Sequence, residues 1–207
     1  MENGNRHPEI KTTTDFSIFP KIEFRPYMLE AAYDYLEASR SVRAGRPRLI
    51  LSALSLEIIL KSFNSKPSEN FNKIDERYEF SAPTVNGGKP GGRKPHDLYE
   101  LFKTVPNAFH PLILRRASDI EVIVLQKDAF AKARYFYEKT EYINGTNQYN
   151  RHVNRLQEIA TYSLCMLTLL YKFQGCGDLF INFTEAVTDF EKSEASRWYI
   201  VRDPDEP

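Results

Sequence analysis

Between Pro47 and Phe63 the residues Leu49, Ala53, Leu56, Leu60 and Phe63 recur at alternating steps of four and three, the interval that returns side chains to one face of an α-helix. An apolar stripe of this length must be covered by other elements, so it obliges the rest of the chain to supply partners. Four further segments have the same period. A helix is predicted from Pro26, which suits a first turn, through Leu29, Tyr33 and Leu36 to a stop at Gly45. Asp97 to Val105 reads as a short helix with Leu98, Leu101 and Phe102 on one side, closed by Pro106. Residues 112–139 form a long helical stretch, interruptible near Ser118, with Ile123, Phe130, Ala133 and Tyr137 inward. The last long helix, about 151–173, carries Val153, Leu156, Ala160, Ser163, Leu167 and Leu170 at near-heptad spacing and ends at Gly175. The expected fold is all-α, a bundle of four to five helices over residues 26–174.

Three stretches fall outside this pattern. Residues 1–25 form a polar leader in which Phe16 to Phe24 alternates weakly around Pro20, as an edge strand would. Residues 64–95, with two Gly doublets and several prolines, read as a long inter-helix loop holding one short element near Phe71 to Phe80. Residues 175–207 form a small C-terminal appendage, where Leu179 to Phe183 and Trp198 to Val201 are rich in strand formers. At 207 residues one domain with appended segments is the simplest organisation.

The 28 basic and 28 acidic residues cancel, so any attraction to nucleic acid must come from a local patch rather than a global field. Arg40, Arg43, Arg46 and Arg48, around the first helix–helix turn, are the best candidates for contacts to a phosphate backbone, although a solvated charged corner has the same composition. The longest apolar run, Leu164 to Tyr171, is too short to span a bilayer, and no apolar signal core follows Met1, so a cytoplasmic protein without membrane association is expected. Cys165 and Cys176 lack the clustered partners of a metal site, and reduced thiols with no metal and no cofactor are expected.

The stretch NGGKPGGRKPHDLYELF (86–102) holds the most chemistry. Gly87 and Gly92 have the separation of a phosphate-binding loop, but Arg93-Lys94-Pro95 follows in place of Lys-Ser/Thr, and no strand precedes. His96 beside Asp97 is either a base or a ring packed at a helix start. Glu57 and Lys61, four apart, have the orientation of an exposed helical ion pair and lie beside the Leu56/Leu60 stripe, where one of them can reach the rim of a cleft. Arg134, one turn from Phe130 and Tyr137, needs a carboxylate, a helix terminus or a ligand. Tyr135, Phe136, Tyr137 and Tyr142 suit base stacking, core or a dimer interface.

Three segments in order, LSALSLEIILKSF (51–63), KPHDLYELF (94–102) and AKARYFYEK (131–139), resemble the HEPN family of helical nucleotide-binding domains over about residues 26–173. Glu57 and Lys61 match its helix signature, His96, Asp97, Leu98 and Leu101 its loop-to-helix signature, and Ala133, Arg134 and Tyr135 its third element. The resemblance implies a homodimer that binds nucleotide or RNA or a protein partner, in a setting such as prokaryotic defence or a toxin–antitoxin pair. Ligand-binding residues would then be Glu57, Lys61, His96, Arg134 and Tyr137. The family's ribonucleases carry Arg followed after four to six residues by His, which this chain lacks; Lys103 ahead of His110 is the nearest substitute. Pro106 interrupts the helix between those two, so Lys103, His110 and His96 are weak catalytic candidates.

The expectation is therefore a noncatalytic HEPN-like binding or interaction module. A metal-independent endoribonuclease with an altered site is the first alternative, and a structural subunit of an assembly, with no nucleic-acid binding, is the second.

Overall fold

A computed structural model describes residues 15–42, 45–71, 73, 76–81, 96–130 and 147–182. These are mostly helical, with one small two-stranded antiparallel sheet. Helix α1 (Pro26–Ser41) starts with Pro26 in its first turn and buries Leu29, Ala32, Leu36 and Ser39, a single 3.6-period stripe. Gly45, at a φ of 133° that a side chain would strain, turns the chain into α2 (Arg46–Ser62).

Helix α2 is central. It packs against α1, against α3 (Leu98–Thr104) and against the long helix α5 (Asn147–Phe173). Its buried set therefore extends well beyond the apolar stripe to Ser52, Ser55, Glu57, Ile59 and Ser62. Small hydroxyl residues allow close approach on the α1 side, where Ser55 Oγ donates to Ala32 O at 2.7 Å. Helix α5 ends in a Schellman-type turn, with Gly175 at φ 86° and the Cys176 N–H donating to Tyr171 O at 2.9 Å.

Several expectations change. Phe16 to Phe24 is not an edge strand. Phe16–Ile18 is a single 3-10 turn capped by Asp15, and the chain then runs extended over the core, burying Phe19 and Ile22. Its backbone is satisfied by a side chain rather than a sheet, since Ile22 N–H donates to Gln174 Oε1 and Gln174 Nε2 donates to Pro20 O, both at 3.0 Å. The strands lie instead within residues 64–95: β2 (Arg77–Phe80) falls where one short element is expected near Phe71 to Phe80, and it pairs antiparallel with β1 (Ser65–Glu69), in the part read as loop, Ser65 opposite Phe80. Alternation there is hidden because only Ser65 in β1 is buried.

In the stretch from 112, a 3-10 segment, Asn107–Leu112, around Pro111 comes first, and the helix α4 starts only after Ser118, where a break is expected, and spans Asp119–Leu125; residues 131–139 lie outside the described residues. Leu179–Asn182, read as strand-forming, is the short helix α6. Trp198 to Val201 lies outside the described residues. Among the described residues no helix is long and apolar enough to cross a membrane.

Candidate functional site

Glu57 sits in the middle of α2 with only 4% of its surface exposed. Lys61, one turn later, donates from Nζ to Glu57 Oε1 at 2.6 Å. The pair anticipated as exposed is thus built around a buried carboxylate, because α3 and the turn before it cover that side of α2. Burial makes this carboxylate dependent on its partners, since an ionised group withdrawn from water must be compensated by charge or hydrogen bonds.

The second partner comes from 39 residues further on. His96 precedes Asp97, the N-cap of α3, whose carboxylate accepts the N–H groups of Tyr99 and Glu100 at 3.0 Å each. The Leu98 N–H donates to Lys127 O at 3.0 Å, so the start of α3 is fixed from both sides. That anchoring holds His96 Nδ1 2.9 and 3.1 Å from the two carboxylate oxygens of Glu57. A carboxylate can only accept, so Nδ1 is the donor and Nε2 is left as the ring's outward polar atom. The His96 side chain is 47% exposed, whereas that of Glu57 is 6% exposed. Two rings border the cluster: Phe130 lies 4.9 Å from the His96 ring, and Phe80 of β2 lies 5.7 Å from Lys61 Nζ.

The arrangement is therefore a buried acceptor, a neutralising lysine beside Phe80, and an oriented imidazole open to solvent beside Phe130. It can present a hydrogen-bonding atom beside flat apolar surfaces, as recognition of a heterocyclic base requires.

The other candidates separate. Lys103 donates to Glu100 at 2.8 Å and lies 5.1 Å over the Tyr99 ring; the Glu100 hydrogen bond raises its ammonium above the ordinary lysine value. His110 stacks on Phe102 at 4.4 Å, and its Nε2 donates to Val105 O at 3.1 Å. No hydrogen bond or ion pair joins Lys103 to His110, as the break at Pro106 leads one to expect.

Two of the four arginines in the proposed backbone-binding corner tie helices together. Arg40 pairs with Glu37 at 2.5 Å and donates to Thr161 of α5 at 3.2 Å. Arg48 donates to Ser39 O at 3.2 Å and Val42 O at 2.9 Å, satisfying carbonyls at the end of α1. Arg46 opens α2, while Arg43, Arg134 and Tyr137 lie outside the described residues.

A further buried carboxylate escaped the sequence reading. Asp119, 2% exposed, pairs with Arg155 of α5 at 2.5 Å. The available signal was an acidic residue opening the apolar run Ile120, Val122, Ile123, with an arginine between the core positions Val153 and Leu156. Among the described residues no group of three or more His, Cys, Asp or Glu side chains is placed to hold a metal ion, and both cysteines are buried thiols. No family model, curated protein or solved structure matches the chain.

Proposed function

We propose that this protein is a noncatalytic HEPN-like module that binds a nucleotide or RNA through Glu57, Lys61 and His96. The observation that supports it most is the oriented, half-exposed imidazole of His96, held by a buried carboxylate and bordered by Phe130, with Phe80 beside the neighbouring Lys61. Under this reading Glu57 sets the ring's orientation, Lys61 neutralises Glu57, and Nε2 of His96 meets the ligand. The resemblance over residues 51–63 and 94–102 adds a homodimer, a protein partner and a defence or toxin–antitoxin setting to the proposal.

An orienting carboxylate also suits a general base, which keeps a metal-independent endoribonuclease as the second reading. Its other requirement is a cation for charge developing on phosphorus, and the two nearest sequence candidates are committed, Lys61 to Glu57 and Lys103 to Glu100. That weighs toward binding without cleavage.

Titrating the full chain with fluorescently labelled single-stranded RNA and with nucleoside triphosphates, then running the RNA on a denaturing gel, tests both readings. Binding with intact RNA, weakened about tenfold or more by His96→Ala, is the expected result, corresponding to loss of one good polar contact. Cleavage abolished by His96→Ala would transfer the assignment to the ribonuclease. Absence of any binding at moderate salt would leave the cluster a structural tie within an assembly subunit.

A further inference from the structure

His96, His110 and His152 lie among the described residues, and they present their rings differently. His110 spends Nε2 on Val105 O at 3.1 Å and stacks on Phe102. Half-buried His152, near the start of α5, has no carboxylate partner among the described residues. His96 alone of the three joins an anchored nitrogen to an open one: Nδ1 lies 2.9 and 3.1 Å from the Glu57 oxygens, and the side chain is 47% exposed.

That geometry makes Nε2 a nucleophile. Glu57 holds the ring's proton on Nδ1, so the lone pair stands on Nε2. A bond formed at Nε2 turns the ring into a cation, and a buried carboxylate on the opposite nitrogen is the counter-charge for it. Lys61 shares that carboxylate through Oε1 at 2.6 Å, while Oε2 stays 3.1 Å from Nδ1. The Asp97 cap and the Phe130 ring, centred 4.9 Å away, fix where the imidazole stands. The electrophile has to tolerate water, since the ring is half-exposed. An acyl group on imidazole is soon lost to water, whereas a phosphoryl group persists at neutral and alkaline pH and has its charged oxygens solvated there.

We propose that His96 Nε2 is a phosphoryl-acceptor site, modified by a donor of the phosphoramidate class. The Nε2 lone pair attacks phosphorus, the donor's N–P bond breaks, and its electron pair leaves on an amine that was already protonated. The imidazole keeps its Nδ1 proton against Glu57. A neutral ring thus becomes an imidazolium bearing a dianionic phosphoryl group, and the protein neither gives nor takes a proton. A donor that brings its own proton suits the site because Lys61, the neighbouring acid, is committed to Glu57. Glu57 acts as a positioning residue. The step uses the same oriented ring as the binding reading but requires neither nucleotide nor RNA.

The test uses the full chain at about pH 8, above the ordinary range of imidazole protonation, with potassium phosphoramidate as the donor. Mass spectrometry of peptides kept out of acid follows the rate at each histidine, and phosphorus-31 NMR tells the Nε2 isomer from the Nδ1 isomer. In the folded chain His96 should be modified at Nε2 alone, at least about tenfold faster than the same residue in guanidinium chloride, where Glu57 no longer holds the ring. Glu57→Gln keeps a hydrogen-bond acceptor but removes the charge. It should slow His96 by about tenfold or more and leave the rate at His152 unchanged. The comparison of folded and unfolded wild type decides the matter if that variant does not fold. Modification of His96 no faster in the folded chain than in the unfolded one, phosphate on Nδ1, or an unchanged rate in Glu57→Gln overturns the proposal. No RNA or nucleotide is present in this experiment. Modification by a chain that binds no RNA would therefore sink only the binding reading, and RNA binding by a chain that resists modification only this one.

Discussion

Glu57 and Asp119 are both almost fully buried carboxylates that hold a cation on a helix, yet their surroundings differ in kind. Glu57 lies mid-helix, where backbone groups are already paired, and both its partners are side chains with some exposure, Lys61 at 20% and His96 at 47%. Asp119 lies at a helix start and accepts two backbone N–H groups in addition to Arg155. A carboxylate that meets only side chains can be removed and its partners can turn to water; one that also satisfies backbone cannot. Glu57 can therefore be replaced without stranding backbone groups, whereas Asp119 is fixed by the fold.

The largest effect should follow Asp119→Ala. It strands the Arg155 guanidinium and two amides, and a loss of about 3–5 kcal/mol in urea unfolding is expected. A loss below about 1 kcal/mol would remove the distinction between the two sites.

A neutral buried group supplies the scale between them. The fully buried Tyr171 hydroxyl accepts the Arg25 N–H at 3.1 Å, and Tyr171→Phe should cost about 1–2 kcal/mol at neutral pH. Burial raises this phenol well above its ordinary value. Above about pH 10 the unfolded phenol therefore releases its proton while the folded one keeps it, and stability falls as pH rises. Unfolding measured from pH 8 to 11 should show a shallower decline in Tyr171→Phe than in wild type. Equal slopes would separate Tyr171 from the alkaline transition.

Glu57→Met should change stability by less than about 1 kcal/mol in either direction, since an apolar side chain of similar volume avoids desolvating a charge. Nucleotide or RNA binding should fall in the same variant as His96 loses its orientation. A stability loss comparable to that of Asp119→Ala would show that Glu57 is structural after all. Smallest is His96→Ala, whose half-exposed contact should contribute under about 0.5 kcal/mol in thermal or urea unfolding. Its expected effect appears in ligand binding, and a large stability loss with unchanged binding would reverse the roles assigned to the two carboxylates.

Much of the helical frame is legible in the residues. Leu49, Ala53, Leu56 and Leu60 mark α2, Pro26 marks the first turn of α1, Asp97 marks the start of α3, and Gly175 marks the end of α5, each by a local rule. The strand pair is less legible because β1, Ser-Lys-Pro-Ser-Glu, contains no strong strand former and gains its pairing from β2. The leader misleads for the opposite reason: Phe16, Ile18, Ile22 and Phe24 suggest alternation, but Phe19 and Ile22 are the residues the core takes.

At the candidate site the sequence by itself determined that Glu57 and Lys61 share a helix face, because a spacing of four does that in any α-helix. It also placed His96 next to a capping aspartate. Only the tertiary structure decided that Glu57 is buried and that His96 reaches it, since both depend on how α3 packs against α2 across a separation of 39 residues. The same holds for Asp119 and Arg155, 36 residues apart. Local spacing governs which side chains lie on one helix, but burial and charge pairing between helices are properties of packing, which no single segment contains.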